Sequence, residues 1–95
     1  PPASPGSVRI YTELEQQKLS SQARSFLGFL EESGVIDAGL RELVIDRIMA
    51  LDSEEIDTEE LSWVLLMILY HRPGNEAAYV WMEDMIFDRL DGVYH

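Results

Sequence analysis

Apolar residues recur at helical spacing along most of this chain. Ala23, Phe26, Leu27 and Leu30 fall at i, i+3, i+4 and i+7, the inward stripe of an amphipathic helix. Ser20 or Ser21 supplies its N-cap, and the helix is predicted to run to about Ser33. Gly34 ends it as a left-handed cap, with Val35 placed to touch Leu30. Gly28, in mid-helix, costs about 1 kcal/mol relative to alanine. Close approach of another helix is the expected reason for it.

The same logic extends in both directions. Upstream, Val8-Arg9-Ile10-Tyr11 alternates as a short extended segment, and Thr12 with Glu15 forms a capping box that opens a short first helix. Downstream, Asp37 caps a third helix over Ala38 to about Leu51, with Leu40, Leu43, Val44, Ile48 and Leu51 inward. The acidic turn from Asp52 to Asp57 leads to a fourth helix, Thr58 to about His71. Ile56 and Leu61 stand at the positions of a hydrophobic staple, and Glu60 is placed to complete a capping box with Asp57. This fourth helix is apolar nearly all round. Leu61, Val64, Leu65, Ile68 and Leu69 line one face, and Trp63, Leu66, Met67 and Tyr70 line the other. In so small a domain the second face is expected to be core. Pro73-Gly74 breaks the pattern, and a last helix is predicted over about Asn75 to Asp88, with Ala78, Trp81, Met82, Met85 and Ile86 inward. Asp91-Gly92 reads as a turn, and Val93-Tyr94 is placed to pair with Val8-Arg9-Ile10 as a two-strand ladder. The predicted fold is all-α: a compact bundle of four to five helices around a central apolar helix, with that short pairing of the termini.

Composition narrows the function classes. Residues 1–7, PPASPGS, read as a linker, leaving 8–95 as a single helical domain. There is no cysteine, which excludes disulfides, thiolate metal sites and a cysteine nucleophile. Eighteen acidic residues against seven basic ones give a net charge of −11. Such a surface repels phosphate backbones and anionic membranes, so neither nucleic acid nor membrane is an expected direct partner.

The order of residues also resembles a known family. The stretches RSFLGFLEESGVID, LRELVIDRIMALD, IDTEELSWVLLMILYHRPGNEAAYVWMEDMIF and DGVYH together resemble the C-terminal part of the bacterial Smg family, over roughly Ile10 to His95. The resemblance implies a cytoplasmic bacterial protein with no established activity and no family catalytic residues to carry over. It also implies an N-terminal helical segment that this chain lacks. The genes of the family often lie near one for a DNA-processing protein, which makes such a protein a candidate partner.

Chemical motifs are sparse. Aligning the acidic turn with a calcium-binding EF-hand, Ile56 at position 8, puts Met49, Leu51 and Ser53 where positions 1, 3 and 5 need oxygen ligands, so that frame fails. His71 and His95 belong to no metal-binding motif, and no serine sits in a nucleophile elbow. No cofactor is expected, and the chain reads as a non-enzymatic protein-interaction domain. Its alternatives are an accessory factor in DNA processing that acts through a DNA-handling protein, and a weak small-molecule or metal binder.

Six residues carry the site expectations. Arg47 falls on the inward stripe of the third helix, which predicts a structural ion pair; its rival role is an anchor for a partner's carboxylate, with the family's N-terminal segment one candidate for that partner. Ile45 and Met49 lie off that stripe and are candidate contact residues. Val80 and Phe87 lie off the stripe of the last helix among Glu76, Glu83 and Asp84. An apolar centre with a polar rim marks an interface, so Val80, Glu83 and Phe87 are the leading candidates for binding a basic protein. The alternative is that the C-terminal tail covers Phe87.

Overall fold

The computed structural model describes the backbone of residues 9–94 and the side chains of residues 9–88. The linker read at 1–7, Val8 of the expected strand pairing, and His95 lie outside the described residues. Five helices follow one another: α1 (Glu13–Lys18), α2 (Ser21–Glu32), α3 (Ala38–Met49), α4 (Thr58–Tyr70) and α5 (Glu76–Tyr94).

Local chemistry starts and stops most of them. The Thr12 hydroxyl accepts from the Glu15 amide at 3.2 Å, and the Glu15 carboxylate accepts from the Thr12 amide at 2.9 Å, a complete capping box. Ser20, Asp37 and Asp57 cap α2, α3 and α4 by accepting from Ala23, Leu40 and Glu60 amides at 3.0, 2.8 and 2.9 Å. Each such cap satisfies an otherwise orphan donor and contributes about 1 kcal/mol. Only the Asp57 half of the expected Asp57–Glu60 box is formed. At the end of α2, Gly34 takes a φ of 78°. Its amide donates to Glu31 O at 3.1 Å, and the Val35 amide to Leu30 O at 2.9 Å, the two bonds of a Schellman motif.

α4 is the centre of the bundle. It packs against α2, α3 and α5, while α1 lies on α3. Leu61, Leu65, Ile68 and Leu69 of α4 meet Leu27 and Leu30 of α2, Val44 and Ile48 of α3 and Met82 of α5 in one buried cluster. Buried Ser62 is the polar exception in that core, and its hydroxyl donates to Thr58 O at 2.8 Å, one turn back. A chain of ion pairs crosses the outside of the bundle. Arg9 joins Glu15 of α1 to Glu42 of α3, and Arg41 joins Glu42 to Glu31 of α2, at 2.6–2.8 Å.

Three expectations are corrected here. The terminal strand pairing is not formed: Val93 and Tyr94 are helical, because α5 continues through Asp91-Gly92 to Tyr94. A glycine inside a helix costs about 1 kcal/mol, but the helix keeps its backbone hydrogen bonds, which two isolated short strands do not match. Gly28 does not admit a neighbouring helix either. It is exposed, and a methyl group there would meet nothing within 4 Å. Finally, Trp81 and Leu51, expected inward, are both partly exposed: Leu51 because α3 ends before it, and Trp81 at the edge of α5 with its ring 6.3 Å from that of Phe29.

Candidate docking surface

The α5 strip that the periodicity points to is present. Val80 and Phe87 stand on one face, 51% and 54% exposed, with Glu76 and Asp84 exposed beside them. The tail does not fold back over Phe87 as a strand, since the backbone runs on as helix. Glu83 edges the strip half-buried, and its carboxylate accepts from the Tyr79 hydroxyl at 3.4 Å. Desolvation, with the Glu83 charge adding to it, holds the Tyr79 hydroxyl above its ordinary pKa, so it stays a donor.

α3 departs from its predicted orientation. Ile45, offered as a contact residue, is buried in the core, and Met49 is half-buried against it. Arg47, placed on the inward stripe, is exposed and forms no ion pair among the described residues. The cause is rotation about the helix axis. The buried arc centres on Val44, Ile48 and Ile45, so position 47 moves to the edge that borders α4. Apolar residues lie on both sides of that arc, and the packing of α2 and α4 chooses between them.

The second face of α4 is the larger correction. Trp63, Met67 and Tyr70, expected in the core, are 45%, 67% and 70% exposed. Three neighbouring helices cover one side of α4, and among the described residues no fourth covers the other. Large apolar side chains at i, i+4 and i+7 therefore form an open stripe. The Tyr70 ring lies 5.1 Å from the His71 ring and 5.9 Å from that of Tyr79. His71 Nδ1 donates to Met67 O at 2.9 Å, closing the C-terminal turn of α4.

Two grooves flank this stripe. One, of about 760 Å³, lies between α3 and α4, with Leu43, Leu51, Trp63 and Met67 on its walls and Arg47 and Arg72 among its lining. The other, of about 590 Å³, lies at the α4–α5 turn under Tyr70, Pro73, Tyr79 and Val80. The apolar run on both faces of α4, and Arg47 as a candidate carboxylate anchor, were the signs of these grooves in the sequence. Among the described residues, no group of three or more His, Cys, Asp or Glu side chains is arranged to hold a metal ion.

Comparison with known proteins places this sequence in a family. The model of a protein family of unknown function, DUF494, matches residues 1–95, the whole chain. A Smg homolog of Nitrosococcus oceani is 52% identical over 94 residues, 99% of this chain and 59% of the relative. The chain belongs to the Smg family. Smg homologs of Thioalkalivibrio sulfidiphilus and Alteromonas mediterranea are 57% and 52% identical, over 86% and 92% of the chain and 52% and 55% of the relatives. The chain thus spans somewhat more than half the length of these Smg homologs. No solved structure matches it.

Proposed function

We propose that this chain is a non-enzymatic protein-interaction domain that docks a cationic partner protein on the outer face of α5. The observation that carries the reading is the pair Val80 and Phe87, each about half exposed on one face and flanked by Glu76, Glu83 and Asp84. Apolar anchors inside a carboxylate rim suit a partner segment that alternates apolar with Lys or Arg side chains. A net charge of −11 would speed its encounter and make binding salt-sensitive. A DNA-handling protein with a basic surface has the chemistry for this role, and the domain would then serve DNA processing without touching DNA. The same reading puts the protein in the bacterial cytoplasm. No helix among the described residues is long and apolar enough to cross a membrane.

The test is affinity capture from the native cell at low and high salt, with the chain and with a variant carrying Val80→Ser and Phe87→Ser. The reading expects a basic protein that is held at low salt, released at high salt and lost with the variant. If no protein is retained at either salt, or if the retained protein ignores the variant, the α5 face is not the docking site.

A further inference from the structure

The cations of this chain are few, and among the described residues three are already committed. Arg9 and Arg41 are spent on Glu15, Glu42 and Glu31. The Lys18 ammonium donates to Leu51 O. The Arg24 guanidinium lies 5.9 Å from the Tyr11 ring centre, half-buried, and its Nε has no hydrogen-bond partner among the described residues. Arg47 and Arg72 are different. Both are exposed, neither has an ion pair among the described residues, and both line the α3–α4 groove. Eighteen acidic residues were available to pair with them. None stands at i±3 or i±4 from Arg47, where Leu43, Val44, Ala50 and Leu51 sit instead. The lining between the two arginines is apolar except for His71, with Trp63 and Met67 one turn apart on α4 and facing outward.

We propose that this groove receives an apolar helical segment of another protein whose flanking carboxylates pair with Arg47 and Arg72. The floor asks for apolar anchors at i and i+4, the helix-in-groove mode, and Met and Trp adapt to such anchors. Guanidinium groups grip carboxylates bidentately, so two arginines fix the register of the incoming helix. The same net charge of −11 disfavours a polyanion such as nucleic acid, and it sets two copies of this chain against each other. A segment with only a few acidic residues escapes that penalty, because charges beyond about 8 Å are screened at physiological salt. The groove lies between α3 and α4 and asks for the opposite charge to the α5 strip, which it approaches at His71 and Arg72, where the α4–α5 groove is also lined by Glu76 and Val80. Its occupant is therefore distinct from the cationic partner proposed above.

Three synthetic helical peptides of about 16 residues, a length that can hold a helix, test this. All carry the same Leu face and differ only in flanking Glu, Gln or Lys. They are titrated into the isotopically labelled chain and followed by amide chemical shifts. The Glu peptide is expected to move the Arg47, Trp63, Met67 and Arg72 amides and to bind at least about tenfold more tightly than the Lys peptide. Arg47→Glu with Arg72→Glu should reverse that order, and Arg47→Gln with Arg72→Gln should level it with the fold intact by circular dichroism. Phe87→Ser, which removes the α5 anchor, should change nothing. The proposal is overturned if the Lys peptide binds equally well, if charge reversal leaves the preference unchanged, or if none of the three reaches the groove. It is also overturned if the same amides shift with the concentration of the chain alone, since a second copy would then fill the groove, or if a DNA oligonucleotide shifts them.

Discussion

Leu19 and Ile56 pair in a single parallel bridge at the heart of the bundle, each with no exposed surface. The Ser20 amide donates to Ile56 O at 3.1 Å, and the Ile56 amide donates to Lys18 O at 2.7 Å. The bridge ties the α1–α2 junction to the loop before α4, and with it the start of α4 to the start of α2. Ile56→Ala is therefore expected to cost about 2–5 kcal/mol through lost burial and the cavity left behind. Exposed Ile10→Ala should stay within about 0.5 kcal/mol. Urea denaturation of both variants checks the pair.

The Arg9 pair makes stability depend on pH. The guanidinium, helped by the Thr12 amide, holds the Glu15 carboxyl down to about 2 from an ordinary 4.5. Arg9 and then Arg41 lower Glu42 as well, against the opposing effect of desolvation. A carboxyl whose folded value is depressed stabilises the fold above its unfolded value and loses that contribution as pH falls toward its folded one. The contribution is thus full above pH 4.5 and fades as pH drops to about 2. These groups are partly exposed, so the effect is about 1 kcal/mol or less. Melting temperatures across that window should fall more steeply for the chain than for Arg9→Gln.

Two glycines predict opposite signs. Gly34 sits at a φ of 78°, a conformation that an L side chain adopts at a cost of about 1–2 kcal/mol, so Gly34→Ala should destabilise by that amount. Gly28 is helical, exposed and free of neighbours. Gly28→Ala should stabilise by about 0.5–1 kcal/mol, as a higher melting temperature would register.

The rotation of α3 is testable with neighbouring positions. Ile45→Ala is expected to cost about 2–4 kcal/mol because Ile45 is core. Arg47→Ala should stay within about 0.5 kcal/mol, since no ion pair is lost among the described residues. If chemical denaturation ranked them the other way, the inward stripe drawn through position 47 would be right and this orientation of α3 wrong.

The helix starts at Thr12, Asp37 and Asp57, a start at Ser20 or Ser21, and the stop at Gly34 were legible in the sequence, because each is chemistry between residues a few positions apart; the structure chose Ser20. The all-α class and the centrality of α4 followed from apolar spacing, and so did the outward face of Val80 and Phe87. Other features depended on residues distant in the chain. Which side of α3 turns inward, and so whether Ile45 or Arg47 meets the core, is decided by how α2 and α4 pack on it. Whether Trp63, Met67 and Tyr70 are core or surface depends on how many helices surround α4, a number that periodicity within α4 does not contain. The groove that joins Arg47 to Arg72 exists only once α3 and α4 lie side by side. Local backbone and capping preferences are written residue by residue, whereas helix rotation and groove formation arise from contacts that the chain makes only after it has folded.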